Sequence, residues 1–421
     1  MRFAGEKSLS DLMEFWDGHL QRGRFLIFWG AMSLEEIQLG KANRLLAALE
    51  SNLFYREKLD GLGAVESLAE FSEKVPFTTK SELAANQLAH PPYGTNLTWP
   101  VEKYSRFHQT SGTSGQPMTW LDDPEGWDWI RGNWEWVWQK AGVKVGQAAF
   151  FPFSFGPFLG FWAGFESATN LGIRAIPAGG LTSENRVKMI ARLRPEVLCC
   201  TPTYGLRLAE IADDARSLGV QKLIVAGEPG GSLPEVRARL NEAWDAEVID
   251  HHGMTEVGPV TVGDLENPSQ LLIRHESYFC EVIEQDERGV GELVLTTLGR
   301  HGSPLLRYRT GDLVKPADQP DGFALDGGII GRADDMVVVR GVNLYPGAVE
   351  EVVRSVSGIL EYEVLIEEVN AMSEVRLRVE GEGAEELEER LREVFSLRIP
   401  VEKVAEGTLE RFEMKSKRWR K

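Results

Sequence analysis

The sequence predicts an α/β protein with a large N-terminal domain of mixed, largely parallel sheets, a small antiparallel subdomain within it, and a small α+β C-terminal domain. Three observations predict it. From about residue 100 to 300, short apolar runs alternate with helical stretches, the pattern of βαβ units. Residues 291–330 change to GELVLTTL and a Gly/Asp/Pro-rich connection, which suits antiparallel strands. After GRADD (331–335) the strands VLIEEV and VRLRVE enclose an alternating pattern, followed by the acidic amphipathic helix AEELEERLREVF. The domains are placed at 1–331 and 332–421. A chain of 421 residues, 43% hydrophobic, is long enough for one large core and a second, smaller one.

Taken in order, residues 1–75 read as helical, with Leu45, Leu46, Leu49 and Leu53 on one face. Thr78 and Thr79 before Lys80-Ser81-Glu82 mark a helix start. AAFFPFSF (148–155), VLCCTP (197–202), KLIVAGE (222–228) and EVIDHHG (247–253) read as buried strands, and SENRVKMIARL and LPEVRARLNEAW as helices. Each strand runs into a loop with Gly, Pro, Glu or His, and ligands of open α/β sheets bind at strand C-terminal ends. Six of the twelve tryptophans fall between 120 and 138. Trp127, Trp134 and Trp138 share one helical face; Trp129 and Trp136 share another. A buried helix covering the sheet is the favoured explanation, and an aromatic wall for an acyl group is the alternative.

Composition narrows the function. A formal net charge of −18 repels nucleic acid and anionic membranes as main partners. The three cysteines, Cys199, Cys200 and Cys280, have no framework spacing, which points to reduced thiols and a cytoplasmic protein. Neither CxxC nor HExxH occurs, so a structural zinc site is not expected. The N-terminus lacks the apolar core of a signal peptide, no uncharged stretch is long enough to span a bilayer, and no long repeat is visible.

Four segments carry chemistry. Thr110-Ser111-Gly112-Thr113-Ser114-Gly115-Gln116-Pro117 lets backbone N–H groups approach a polyphosphate while hydroxyls donate to it, although an ordinary Ser/Gly turn has the same composition. It is not the GxxxxGK[ST] loop of P-loop NTPases. In His252-Gly253-Met254-Thr255-Glu256, Thr255 can donate to a phosphate, Glu256 can hold Mg²⁺ and His252 can stack on a base; a buried or capping role is the plainer reading of each alone. Arg307-Tyr308-Arg309-Thr310-Gly311-Asp312, followed by Gly331-Arg332-Ala333-Asp334-Asp335, offers a carboxylate for two ribose hydroxyls and an arginine beside it. The basic tail, Glu410 to Arg418, ends an acidic chain and can supply a positive group to phosphates.

In this order the motifs resemble the acyl-adenylate-forming superfamily of acyl-CoA synthetases, nonribosomal-peptide adenylation domains and luciferases, and most closely its phenylacetate–CoA ligase branch. The likeness runs nearly end to end: PFTTK (76–80), HQTSGTSGQP, VLCCTPTY, AGEP (226–229), HHGMTE, TTLGRHGSPLLRYRTGD, GRADDMVVVRGVNLYP and FEMKSK. The resemblance implies ATP-dependent activation of a carboxylic acid to an acyl-adenylate, then thioester formation with coenzyme A. Transfer to a carrier-protein thiol or an amine is the alternative within the same fold. A nucleotide-binding protein without catalysis is the alternative outside it.

The resemblance further implies that Ser111, Gly112, Thr113, Ser114 and Gly115 hold the β- and γ-phosphates. Gly227, Glu228 and Pro229 lie by the adenine, on which His252 stacks beside Gly253. Thr255 contacts the α-phosphate, Glu256 binds Mg²⁺, and Asp312 binds the ribose with Arg332 assisting. Asp334 is the hinge of a mobile C-terminal domain, Gly341 lies on the face used for thiolation, and Lys415 bridges the substrate carboxylate and the α-phosphate. A homodimer is implied as well. Two positions depart from the pattern: Gln116 stands where lysine is usual, and His252 where tyrosine is. Lys417, two residues beyond Lys415, is the competing catalytic lysine. Phe153, Phe155 and Gly156, in an aromatic run after a strand, are placed in the acyl pocket. The run favours an aryl or arylacetic acid; core packing, or a pocket narrowed by Phe153 for a small acid, are the alternatives.

Overall fold

The structure is a computed structural model that describes residues 32–110, 117–228, 230–333, 337–339, 342–369, 372–412 and 417–420. Helix α1 (Leu34–Ala48) opens on a capping box in which Ser33 and Glu36 satisfy each other's backbone N–H. A 3₁₀ turn at Leu49–Ser51 interrupts the expected continuous helix, and Asn52 restarts it by capping α2 (Leu53–Leu59). Leu45, Leu46 and Leu49 are therefore buried together, but Leu53 is 47% exposed, which corrects its placement on their face. Helix α3 (Leu68–Lys74) follows, and Thr79 and Glu82 form the capping box of α4 (Lys80–Ala89) at the expected start.

Strands β1 (Arg106–Gln109) and β2 (Thr119–Asp122) form an antiparallel hairpin in which Arg106 faces Asp122 and Gln109 faces Thr119. Residues 111–116 lie outside the described residues. Pro124 at the first turn starts α5 (Pro124–Lys140), the tryptophan helix.

The centre is a five-stranded, all-parallel sheet in the order β4-β3-β5-β6-β7, made of β3 (Ala148–Phe151), β4 (Arg174–Pro177), β5 (Val197–Cys200), β6 (Lys222–Ala226) and β7 (Glu247–His251). Helices α6 (Leu159–Asn170), α7 (Ser183–Leu193), α8 (Pro202–Ile211) and α9 (Pro234–Trp244) connect the strands. The strand period of two splits the sheet into two cores. Phe151, Cys199, Ile224 and Ile249 pack with Trp127, Trp134 and Trp138 on one face. Phe150, Cys200, Leu223 and Val225 pack with Leu240 and Trp244 on the other. The tryptophan helix thus covers the sheet, as favoured from its spacing. β3 stops at Phe151, short of the expected 155, because Pro152 has no N–H to donate to a ladder.

Two antiparallel sheets follow. One is ordered β10-β11-β16-β15, from β10 (Thr261–Gly263), β11 (Gln270–Ile273), β15 (Pro316–Gln319) and β16 (Gly322–Asp326). The other is ordered β12-β13-β14-β17, from β12 (Tyr278–Ile283), β13 (Gly291–Thr297), β14 (Tyr308–Val314) and β17 (Gly331–Arg332). The C-terminal part has its own core of residues between Val339 and Ile399. It holds the ribbon β18 (Val337–Val339) and β19 (Val342–Leu344), helix α10 (Pro346–Ser355), the long pair β20 (Ile359–Val369) and β21 (Met372–Gly381), and helix α11 (Ala384–Phe395). β22 (Val401–Val404) and β23 (Trp419–Arg420) add as parallel edges. The α/β, antiparallel and α+β parts all match the fold class expected. Among the described residues no helix is long and apolar enough to cross a membrane.

Candidate active site

The site is built where β7 ends. The chain leaves His251 and enters a short hairpin, β8 (Gly253–Met254) and β9 (Gly258–Pro259), with Thr255, Glu256 and Val257 at its turn. Gly253 is required by close approach: a Cβ there would lie 2.7 Å from the Gly258 carbonyl oxygen.

The two adjacent histidines have opposite surroundings. His251 points into the core, its ring centroid 4.4 Å from that of Trp134, and its Nδ1–H donates to the Thr261 carbonyl at 2.6 Å. Burial pushes it from its ordinary 6.5 to about 4, so it stays neutral at neutral pH. His252 turns the other way, with Nε2 2.9 Å from Asp312 Oδ2. Its Nδ1 is buried without a hydrogen-bond partner among the described residues.

Asp312 is itself buried, and Arg332 Nη1 donates to its Oδ1 at 2.9 Å. Strand register explains that pair, because Asp312 on β14 lies directly opposite Arg332 on β17. One carboxylate therefore gathers a residue from the end of the parallel sheet and a residue from the edge of the antiparallel one.

Glu256 is buried, and no described residue donates to its carboxylate. A buried carboxylate to which no described side chain donates offers its oxygens to a hard divalent cation, so Glu256 fits Mg²⁺. No cluster of three or more metal-ligating side chains occurs among the described residues.

Glu228 lies on the loop after β6, where Gly227 adopts φ +95°. Its Oε1 accepts from the Thr203 backbone N–H at 2.7 Å, which places a carboxylate on the N-terminus of α8. Thr203 also accepts, through Oγ1, from Arg418 Nη1 at 3.2 Å. Arg418 is buried, donates to Glu361 Oε1 at 2.6 Å and Oε2 at 3.2 Å, and lies between the rings of Tyr362 and Phe412. The tail is thus docked on the helix that Glu228 caps.

Phe153 sits in the sheet core, stacked on Phe161 at 3.9 Å between ring centroids and touched by Phe151 and Phe155. Phe155 is half-buried, against Trp162 at 4.8 Å. Gly156, exposed, has φ +51°.

The structure therefore brings His252, Asp312 and Arg332 into contact and places Thr255 and Glu256 on the hairpin that His252 leads into. Ser111, Gly112, Thr113, Ser114, Gly115, Gln116, Pro229, Asp334, Gly341 and Lys415 lie outside the described residues. Lys417 is exposed.

Two residues escaped the reading of the sequence. Arg300 is wholly buried, and it donates to both oxygens of Asp122, at 2.6 and 2.8 Å, and to the Glu256 carbonyl at 2.6 Å. The only local signal is an arginine in a glycine-rich turn, and Asp122 beside Asp123-Pro124 reads simply as a helix cap.

Comparison with known proteins follows this geometry. Residues 341–420 match the family described as the AMP-binding enzyme C-terminal domain. Phenylacetate-coenzyme A ligase of Thermus thermophilus is 29% identical over 375 residues, covering 82% of this chain and 81% of that protein. A 2-hydroxyisobutyryl-CoA ligase in its postadenylation state, in complex with R3-HIB-AMP, superposes with a TM-score of 0.85 at 28% identity over 91% of this chain and 89% of its own. The same ligase in its thioesterification state, with 2-HIB-AMP and CoA, scores 0.68 at the same identity and coverage.

Proposed function

We propose that this chain, which resembles the phenylacetate–CoA ligase branch of the acyl-adenylate-forming superfamily over most of its length, is an ATP-dependent acid–thiol ligase that activates a carboxylic acid as an acyl-adenylate and passes the acyl group to coenzyme A. One observation supports it above the others. Adenine and ribose are covalently joined, so the side chains that recognise them must be neighbours. His252 and Asp312 are 60 residues apart in sequence and 2.9 Å apart in space.

In this reading Ser111 to Gly115 cradle the β- and γ-phosphates, and Gly227, Glu228 and Pro229 line the adenine. Asp312 and Arg332 hold the ribose. Mg²⁺ on Glu256 would neutralise phosphate charge. The carboxylate oxygen attacks the α-phosphorus, the bond to the β-phosphate oxygen breaks, and pyrophosphate leaves. Both reactants are anions, so the chain's contribution is positioning and charge neutralisation, by Thr255 and by the ammonium of Lys415. Coenzyme A thiolate then attacks the acyl carbon and AMP leaves. The second step needs other surroundings, and 332–421 rotates about Asp334 to bring Gly341 inward.

The acid is proposed to be aryl or arylacetic, in line with the phenylacetate ligases. The coverage by a 2-hydroxyisobutyryl-CoA ligase favours a second reading, a small acid in a pocket narrowed by Phe153. A cytoplasmic homodimer belongs to the same proposal; three free, buried thiols suit a reducing compartment.

The test is ATP–pyrophosphate exchange over a panel of carboxylic acids, with acyl-CoA followed by mass spectrometry. Exchange with at least one acid and formation of its CoA thioester are expected. Lys415→Ala is expected to abolish most exchange while ATP still binds, and Lys417→Ala to retain it. Loading of a carrier protein without any acyl-CoA, or tight ATP binding without exchange for any acid, overturns the proposal.

A further inference from the structure

We infer that Arg300 and Asp122 form a positioning device for adenylation, one that fixes the β1–β2 hairpin against the turn bearing Thr255 and Glu256. The inference rests on the function proposed above and adds to it two residues to which that reading assigns no contact with nucleotide or acid. Three chain segments meet at one guanidinium. Nε and Nη2 donate to Asp122 at 2.6 and 2.8 Å, at the end of β2. Nη1 donates to the carbonyls of Glu256 at 2.6 Å and Thr255 at 3.3 Å. Arg300 itself lies on the loop that follows β13.

The surroundings leave this fork little freedom. Arg300 is 0% exposed and Asp122 1%. The guanidinium carbon lies 5.4 Å from the centre of the Trp120 ring, on the same strand as Asp122. His108, opposite Trp120 on β1, brings Nδ1 to 3.6 Å from Asp122 Oδ2 and stacks on Trp127. A Cβ on Gly126 would lie 3.6 Å from Asp122 Oδ1 and 3.8 Å from Arg300 Cγ, so that glycine packs against the pair. Burial pushes the Asp122 carboxyl up, but Arg300 and His108 outweigh it and hold it below its ordinary range.

A buried ion pair is a poor way to gain stability, because desolvation consumes most of the attraction. A planar fork with fixed donors is a good way to fix orientation. Here it sets where the end of β2 and the Thr255–Glu256 turn stand relative to each other. A lysine offers one point charge and cannot hold Asp122 and two carbonyls in one plane.

The test compares Arg300→Lys and Asp122→Asn with the wild type in two half-reactions and in binding. Exchange reports adenylation; thioester formation from chemically made acyl-adenylate and coenzyme A reports the second step. Thermal melts select variants that fold, and Asp122→Asn keeps the shape of the side chain should Arg300→Lys fail. The expected result is a fall in exchange of about 10²-fold, the scale of a misplaced reacting group, with a raised Mg²⁺ requirement. Thioester formation from acyl-adenylate should stay within about twofold, because it needs neither phosphate loop nor metal. Parallel losses in both half-reactions, or unchanged exchange, overturn the inference. Absence of exchange in the wild type with every acid overturns the functional reading itself, and is seen before any variant is compared.

Discussion

His252 and Asp312 share a 2.9 Å contact, imidazole Nε2 to carboxylate Oδ2, that joins the end of the parallel sheet to the antiparallel sheet. Arg332 holds the other oxygen of the same carboxylate. Asp312 therefore serves three purposes at once. It orients the ring proposed to stack on adenine, it anchors β17, and its remaining lone pairs are the ones proposed to take the ribose hydroxyls.

Asp312→Ala should weaken ATP binding by more than the ribose contacts alone, because His252 loses its orienting partner. A charge-assisted hydrogen bond contributes about 1.5–3 kcal/mol, so the loss expected is roughly 10- to 100-fold. Calorimetric titration of ATP measures it. Wild-type affinity in the variant would remove Asp312 from the nucleotide site.

Arg418 should matter more for stability than its place three residues from the end suggests. It lies against Glu361 and 3.5 Å from Glu350, all in the C-terminal core region. Burial raises the Glu350 carboxyl, but Arg354 and Arg418 outweigh it and hold it down at about 2. Arg418→Ala leaves buried carboxylates short of a partner, which costs about 3–5 kcal/mol. Denaturant unfolding of the full chain should show that loss, with a smaller one for Arg418→Lys. A change below about 1 kcal/mol, the size of an exposed pair, would contradict the burial.

The buried His251 gives the pH dependence a sign. Its folded value of about 4 lies below the ordinary 6.5. Between those values the unfolded chain takes up a proton that the folded chain does not. Stability is therefore full above 6.5, falls as pH drops, and levels off below about 4. The shift amounts to about 3 kcal/mol in all, of which about 2 kcal/mol is lost by about pH 5. His275 and His301 are held down by burial too and add with the same sign. His251→Asn should flatten the slope of stability between about pH 7 and about pH 5, read from urea midpoints. An unchanged slope would assign it to the other histidines.

Much of the fold was legible because its signals are local. Cys199 and Cys200 in VLCC announce a strand buried on both faces, and Thr79 with Glu82 announces a helix start. The break at Asn52 was not, because a leucine run at helical spacing continues through it and only the capping geometry ends it. At the site, His252, Asp312 and Arg332 were each legible through motifs, whereas their contact depends on the register of β14 with β17. Arg300 was not legible at all. Its role lies in three partners far away in sequence, and nothing in its own neighbourhood reports them.

The aromatic run after β3 divides into two kinds of residue, which gives a test of the acyl pocket. Phe153 is 9% exposed, with Phe161 stacked on it and Phe151 and Phe155 at its edges. Phe155 is half-buried and meets Trp162, which is 37% exposed. Phe153→Ala removes a packed ring from the sheet core, and truncations of that kind cost about 3–5 kcal/mol. Phe155→Ala removes a ring with fewer buried neighbours, so less stability is lost, while the space it vacates opens toward the surface. We expect Phe155→Ala to reorder the acid panel toward bulkier acids in the exchange assay, and Phe153→Ala to lower the denaturation midpoint with the order of acids kept. A reordered panel in Phe153→Ala, at wild-type stability, would instead make Phe153 the floor of the pocket and favour the small acid.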